Sequence, residues 1–100
     1  MTTLAAFTSN KQGKIIMTVS VEVKDYAVWK QGFDAGDAVR EKAGIKVISI
    51  STAVGNENQV LVIEEAENIA VANDFLNLLK SRQAAGDMAK LEVKLFDKIA

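Results

Sequence analysis

An alternation of apolar and polar residues begins after Lys14 and predicts the first strand. A period of two is typical of a strand that packs one face on a core. Its core face would carry Ile15, Met17, Val19, Val21 and Val23. The opposite face would carry Ile16, Thr18, Ser20 and Glu22.

A helical spacing follows Asp25, which is a favourable N-cap residue. The aromatic residues Tyr26, Trp29 and Phe33 fall on one helical face, and we expect the helix to end at Ala43, before Gly44. The apolar stripe would be widened by Val28, Ala35, Val39 and Ala43. Gly32 and Gly36 each cost a helix about 1 kcal/mol relative to Ala, which favours a close packing contact at both positions.

The second half of the chain predicts a hairpin, a helix and a last strand. Residues 45–54 and 59–65 read as strands joined by a four-residue turn at 55–58. Asn68 would cap a helix whose apolar face is Ile69, Ala72, Phe75, Leu76 and Leu79. Residues 81–90 read as a further helical turn broken at Gly86, and residues 91–99 read as the last strand.

The order of elements is β-α-β-β-α-β, which predicts an α+β, ferredoxin-like sandwich. An antiparallel four-stranded sheet would carry two helices on one face. We place this domain at residues 14–100 and an N-terminal extension at residues 1–13. The extension is either a loose segment or a short edge strand at residues 3–7.

The sheet face that carries no helix must contact water, a ligand or another subunit. Residues 60–63 are apolar on both faces of the third strand, and such strands are normally buried on both sides. We therefore expect a homodimer in which two sheets pack face to face. On the second strand, this face would carry either Ser49 and Ser51 or Ile48 and Ile50, depending on the register.

The residue composition restricts the kinds of catalytic and ligand-binding site that the chain can form. The 100 residues include 12 Lys and Arg against 13 Asp and Glu, with no His and no Cys. Disulfides, thiolate or imidazole ligands and His-based catalytic sites are thereby excluded. The near-neutral charge argues against a nucleic-acid partner. No stretch approaches the about 20 apolar residues of a membrane span, so we expect a soluble, cytoplasmic protein with no membrane partner, no cofactor and no metal.

Two segments resemble a known superfamily. Residues 23–33 follow the pattern V-x-D-Y-x-x-W-x-x-x-F, and residues 40–44 follow R-x-x-A-G. Together they resemble the dimeric α+β barrel superfamily, whose relatives include antibiotic-biosynthesis-monooxygenase-like domains, and the resemblance covers about residues 14–99. It implies an eight-stranded barrel made by two chains, with helices outside and a cavity between the sheets. Members that bind haem or use a histidine base depend on a residue that this chain lacks.

The candidate ligand-binding residues come from the first strand and the first helix: Thr18, Ser20, Glu22, Tyr26, Trp29 and Phe33. The aromatic residues have a structural alternative, which is to anchor the helix on the sheet. Glu22, Glu64 and Glu65 are the acids expected on or near the uncovered sheet face, and Glu22 is a weak candidate for a catalytic acid or base. The series Asp34, Asp37, Arg40 and Glu41 reads as a solvated helix face.

The sequence predicts a homodimer that binds a small, partly apolar organic molecule in the barrel. One alternative is a cofactor-independent monooxygenase or isomerase acting on such a molecule. The superfamily's cofactor-free monooxygenases position an electron-rich phenol, and here the aromatic residues alone correspond to such a site. The other alternative is an interaction module whose barrel is filled by side chains.

Overall fold

The computed structural model describes residues 13–84 and 89–100. Four strands and three helices lie within these ranges, and none of these helices is long and apolar enough to cross a membrane. The elements are β1 (Ile15–Glu22), α1 (Tyr26–Ala35), α2 (Asp37–Ala43), β2 (Ile45–Ala53), β3 (Asn56–Ala66), α3 (Ile69–Ala84) and β4 (Ala89–Asp97). The predicted extension at residues 1–13 lies outside the described residues, Gly13 excepted.

The strands form one antiparallel sheet in the order β2-β3-β1-β4. The α+β, ferredoxin-like fold is thereby confirmed. The alternation in β1 is confirmed as well, because Ile15, Met17, Val19 and Val21 are buried while the residues between them are not. We call the buried side the helix face of the sheet and the opposite side the second face.

The predicted single helix over residues 26–43 is wrong, because the chain breaks at Gly36 into α1 and α2. Gly36 leaves helical geometry at φ −89° and ψ 3°, and its N–H donates to the carbonyl of Phe33. A Cβ atom at Gly36 would lie 3.1 Å from Nη1 of Arg40. The close approach expected at this glycine is therefore to the Arg40 side chain.

The apolar stripe predicted for this region is partly wrong. Val28 and Val39 are 66% and 51% exposed, and no residue of α1 is fully buried. Arg40, expected on a solvated face, is instead 5% exposed. Helical geometry is interrupted at Gly36, so the spacing of a single helix does not extend through both α1 and α2.

The β2–β3 hairpin is tighter than predicted. Ala53 pairs with Asn56, so Val54 and Gly55 alone form the loop, and Gly55 adopts the left-handed φ of 85°. Asn58, expected in the turn, lies in β3, where its Oδ1 accepts a hydrogen bond from the N–H of Tyr26 at 3.1 Å. This contact ties the start of α1 to the sheet.

A register shift in β2 decides which of its residues share the second face. The shift lies between Val47 and Ser49, which makes Ile48 the extra residue. Ser49 and Ser51 then pair with the second-face residues of β3, whereas Ile50 pairs with the buried Val62. Of the two registers left open by the sequence, the structure has the one that places the serines on the second face.

The C-terminal elements differ slightly from expectation. The buried residues of α3 include Ala72, Phe75, Leu76 and Leu79, as predicted, and Asn68 caps the helix by accepting from the N–H of Val71 at 2.9 Å. The helix runs to Ala84 and β4 begins at Ala89. The helical turn predicted at 81–90 is correct for residues 81–84, which are helical as the end of α3, and wrong for residues 89 and 90, which belong to β4. Its centre lies outside the described residues.

Candidate functional site

A cavity of about 550 Å³ lies between α1, α3 and the helix face of the sheet. Its walls are mainly apolar. The sheet contributes Val19, Val21 and Val62, and the helices contribute Val28, Trp29, Phe33, Phe75 and Leu79.

A row of aromatic rings runs along α1 beside the cavity. The ring centroids of Tyr26 and Trp29 are 5.8 Å apart, and those of Trp29 and Phe33 are 5.0 Å apart. Asp25 starts the helix by accepting from the N–H of Val28 at 3.2 Å. Trp29 and Phe33 line the cavity and pack against the core, so they have the packing role that was their structural alternative, and their ligand-binding role stays a prediction.

Gly32 leaves the cavity open on the α1 side. A Cβ atom at this position would meet no atom within 4 Å, so the packing contact expected at Gly32 is absent from the described structure. Its φ is not in the left-handed region. Neither packing nor backbone geometry requires glycine here, and its effect is to let a molecule in the cavity approach the helix backbone.

Glu64 places a carboxyl group in the apolar floor of the cavity. It is 2% exposed, pairs across the sheet with Met17 and Val47, and its Oε2 has no hydrogen-bond partner. Burial raises the pKa of Glu64 from 4.5 to about 7, although the charge of Arg40 lowers it in part. The group is therefore close to half-protonated at neutral pH, and the expectation that it lies on the second face is wrong.

Arg40 brings a buried guanidinium to the same cavity. Its Nη2 donates to the carbonyl of Phe33 and to the carboxylate of Asp37, and its Cζ lies 3.8 Å from the centroid of the Phe33 ring. Its Nε has no hydrogen-bond partner. No direct ion pair joins the described side chains of Arg40 and Glu64, so two residues that line the cavity each keep a buried polar atom without a hydrogen-bond partner.

The three polar candidates on β1 lie on the second face, away from the cavity. Ser20 Oγ accepts a hydrogen bond from Nε2 of Gln59 at 3.1 Å, and Glu22 lies 3.6 Å from Nζ of Lys90. Thr18 pairs with Ile63 of β3. The six predicted ligand-binding residues are thus divided between two faces of one sheet, and a site at Thr18, Ser20 and Glu22 stays a prediction.

The second face mixes apolar, polar and charged side chains. Leu61 and Phe96 are apolar residues of this face that are 37% and 50% exposed, while Lys94 and Glu92 of β4 pair with Thr18 and Ser20. Ion pairs lie at both ends: Glu22 with Lys90 at one, and at the other Glu65, which accepts a hydrogen bond from Lys98 at 2.8 Å and lies 3.5 Å from Lys14. The bond from Lys98 and the charges of both lysines lower the pKa of Glu65.

Sequence reasoning missed the two polar residues of the cavity. Glu64 follows the apolar run 60–63, where neither face can be assigned by alternation. Its adjacency to Glu65 was the available signal, because neighbouring strand residues point to opposite faces and one of these two acids had to lie on the helix face. The available signal for Arg40 was its position in the motif at residues 40–44, which carries part of the family resemblance.

The described residues include no group of three or more side chains placed to hold a metal ion. The interior of the cavity offers the carboxyl group of Glu64, the guanidinium of Arg40 and several aromatic rings, and its lining also includes Lys24, Asp25 and Arg82. Such a set can hold a polar group and exchange a proton with it.

The comparisons with known proteins bear on the fold. No protein-family model and no curated protein matches the chain. A similar solved structure is the crystal structure of a "putative antibiotic biosynthesis monooxygenase" from Caulobacter crescentus CB15, with a TM-score of 0.59 and 15% sequence identity. The match covers 89% of this chain and 92% of the other. The chain therefore shares the ferredoxin-like fold of this structure, which is the protomer fold that the resemblance at residues 23–33 and 40–44 implied.

Proposed function

We propose that this protein binds a small, largely apolar organic molecule in the cavity between α1, α3 and the sheet. The observation that carries the proposal is an open, apolar cavity with an unpartnered carboxyl oxygen and an unpartnered guanidinium nitrogen in its wall. Its volume of about 550 Å³ falls within the roughly 300–1,000 Å³ of small-molecule sites. Buried polar groups without partners cost stability, and a bound molecule offsets that cost.

The expected binding mode follows from the walls. The apolar body of the molecule packs on Trp29 and Phe33 and approaches the helix backbone at Gly32. A ligand that also carries a polar group at its inner end can hydrogen-bond to Nε of Arg40 and to Oε2 of Glu64. This places the ligand on the helix face, whereas the barrel cavity implied by the family resemblance lies between two sheets.

The proposal includes a homodimer formed through the second face. Leu61 and Phe96 expose apolar surface along it, and a second copy of the same face would cover that surface. Since the cavity lies on the other side of the sheet, dimerisation leaves ligand access unobstructed by the sheets themselves.

Fluorescence tests the binding proposal directly. Trp29 is the single tryptophan of the chain and lines the cavity, so its emission reports occupancy. We expect a saturable change on titration with 1-octanol, a probe that does not absorb with tryptophan. Gly32→Phe fills the open space and should abolish the change.

The matched control is Ala27→Phe, which adds the same ring to an exposed position of α1 outside the cavity lining. It should bind 1-octanol as wild type does. The proposal fails if the emission of wild type does not saturate, or if Gly32→Phe and wild type titrate alike.

One observation favours a second candidate function, which is cofactor-independent acid–base catalysis on the bound molecule. Glu64 has a pKa of about 7 and faces the cavity, and a general base works best when its pKa is near the operating pH. This favours a monooxygenase or isomerase over an interaction module with a filled interior. Carbon-13 NMR of the Glu64 carboxyl group should show titration near pH 7, and titration near 4.5 would remove the case for catalysis.

A further inference from the structure

Two cationic side chains stand at the rim of the cavity. Lys24 lies in the loop between β1 and α1, and Arg82 lies in the last turn of α3. Both line the cavity, and both are exposed to solvent. They come from different elements, so the fold itself brings them to the same opening.

Neither cation is neutralised by a described residue. No ion pair joins Lys24 or Arg82 to an acid in residues 13–84 or 89–100, whereas Lys30, elsewhere on the surface of α1, lies 2.7 Å from Asp34. The acid at the rim is Asp25, which is engaged as the cap of α1. The opening therefore carries a net positive charge above an apolar interior.

The inner end of the cavity is unsuited to an anion. Glu64 is partly ionised at neutral pH and would repel a negative group placed beside it. The charge of Arg40 is already balanced by Asp37. A ligand with one charged end is consequently best oriented with that end outward, at the rim.

We infer that the cavity takes an amphipathic carboxylate, with its apolar body inside and its carboxylate between Lys24 and Arg82. The inference rests on the proposed function and adds the chemical class of the ligand. A guanidinium offers paired N–H donors that match a carboxylate, and an ammonium adds a second positive charge. Both contacts are made at the surface, so salt should weaken them.

A chain-length-matched pair of probes tests this inference. Octanoate and 1-octanol share an eight-carbon skeleton and differ in charge, and both are titrated against Trp29 emission at pH 7.5 and low salt. We expect octanoate to bind about tenfold more tightly, which corresponds to about 1.4 kcal/mol. In the double variant Lys24→Gln/Arg82→Gln, the ratio of the octanoate affinity to the 1-octanol affinity should fall to about one. Wild type and the double variant are titrated with both probes under the same conditions.

The control is Lys80→Gln, which removes a positive charge from an exposed position of α3 outside the cavity lining. It should keep the wild-type ratio. The inference is overturned, with the proposed function intact, if 1-octanol binds but octanoate binds no more tightly. It is also overturned if the double variant keeps the preference, and failure of both probes to bind overturns the inference and the proposed function together.

Discussion

Glu64 is a buried carboxyl group whose Oε2 has no hydrogen-bond partner among the described residues. Met17 and Val47 pair with it across the strands, and it is 2% exposed. The protonated form is favoured in such surroundings, which is why the pKa rises to about 7. The folded state therefore holds a proton that the unfolded chain releases.

This difference makes stability depend on pH. Because the folded pKa of Glu64 lies above its ordinary 4.5, its contribution is fully present below pH 4.5 and is lost as pH rises through about 7. We expect the free energy of unfolding of wild type, relative to Glu64→Gln, to fall by roughly 3 kcal/mol between pH 4.5 and 7.5. Urea denaturation at a series of pH values measures this difference.

Glu65→Gln is a control for which the dependence of stability on pH should have the opposite sign. The pKa of Glu65 is lowered by Lys98 and Lys14, so its contribution is present at neutral pH and is lost as pH falls through its folded pKa. Wild type should therefore lose stability relative to Glu65→Gln on acidification. Parallel curves for wild type and Glu64→Gln would contradict the burial argument.

Trp29 should matter less for stability than a fully enclosed tryptophan. It is partly buried, with the Tyr26 and Phe33 rings beside it and the open cavity along another side. We expect Trp29→Ala to cost about 2 kcal/mol, below the about 3–5 kcal/mol of a large aromatic side chain removed from a core. Phe75→Ala, at a residue that is 8% exposed, should reach that higher range. Equal losses in thermal or urea unfolding would show that Trp29 is enclosed after all.

At the scale of elements, the break between α1 and α2 separates two glycines that look alike in the sequence. Gly32 faces open space, whereas Gly36 lies against the Arg40 guanidinium and marks the break in helical geometry. Gly32→Ala should raise the free energy of unfolding by about 0.5–1 kcal/mol, because Ala is the better helix former. Gly36→Ala should gain less, since its Cβ would lie 3.1 Å from Nη1. Urea denaturation compares the two variants, and an equal gain at both positions would contradict this distinction.

The sequence pattern predicts which residues are buried within a regular strand or helix, but it does not predict the structure where two elements meet. The alternation of β1 and the apolar face of α3 place their own core residues because each pattern is confined to one element. The stripe through Gly36 combined two separate helices, and the bulge at Ile48 changed the register of β2. Glu64 and Arg40 were missed for the same reason, since each is placed by packing between elements.

At the scale of the whole molecule, the second face is the surface that the fold leaves uncovered. We expect a homodimer whose interface exceeds the roughly 2,000 Å² typical of obligate pairs. Leu61→Glu should convert the dimer to a monomer of 10.8 kDa, because it replaces an exposed apolar side chain of this face with a charge that the interface would bury. Sedimentation velocity reports the result.

Leu78→Glu is a closely matched control for that experiment. Leu78 lies on α3, and both leucines are 37% exposed in the protomer. The Leu78 variant should remain dimeric. A stable wild-type monomer at micromolar concentration, or equal effects of the two substitutions, would contradict a dimer formed through the second face.

The central claim is that a small apolar molecule binds on the helix face of the sheet, and methyl NMR tests it most directly. Titration with 1-octanol should shift the methyl resonances of Val19, Val62 and Leu79, which line the cavity. The methyl groups of Ile16 and Ile63 serve as the internal reference, because they lie on the second face. Saturable shifts confined to the first group are the predicted result. Shifts confined to Ile16 and Ile63, or no saturable shift in the cavity methyl groups, would contradict the account.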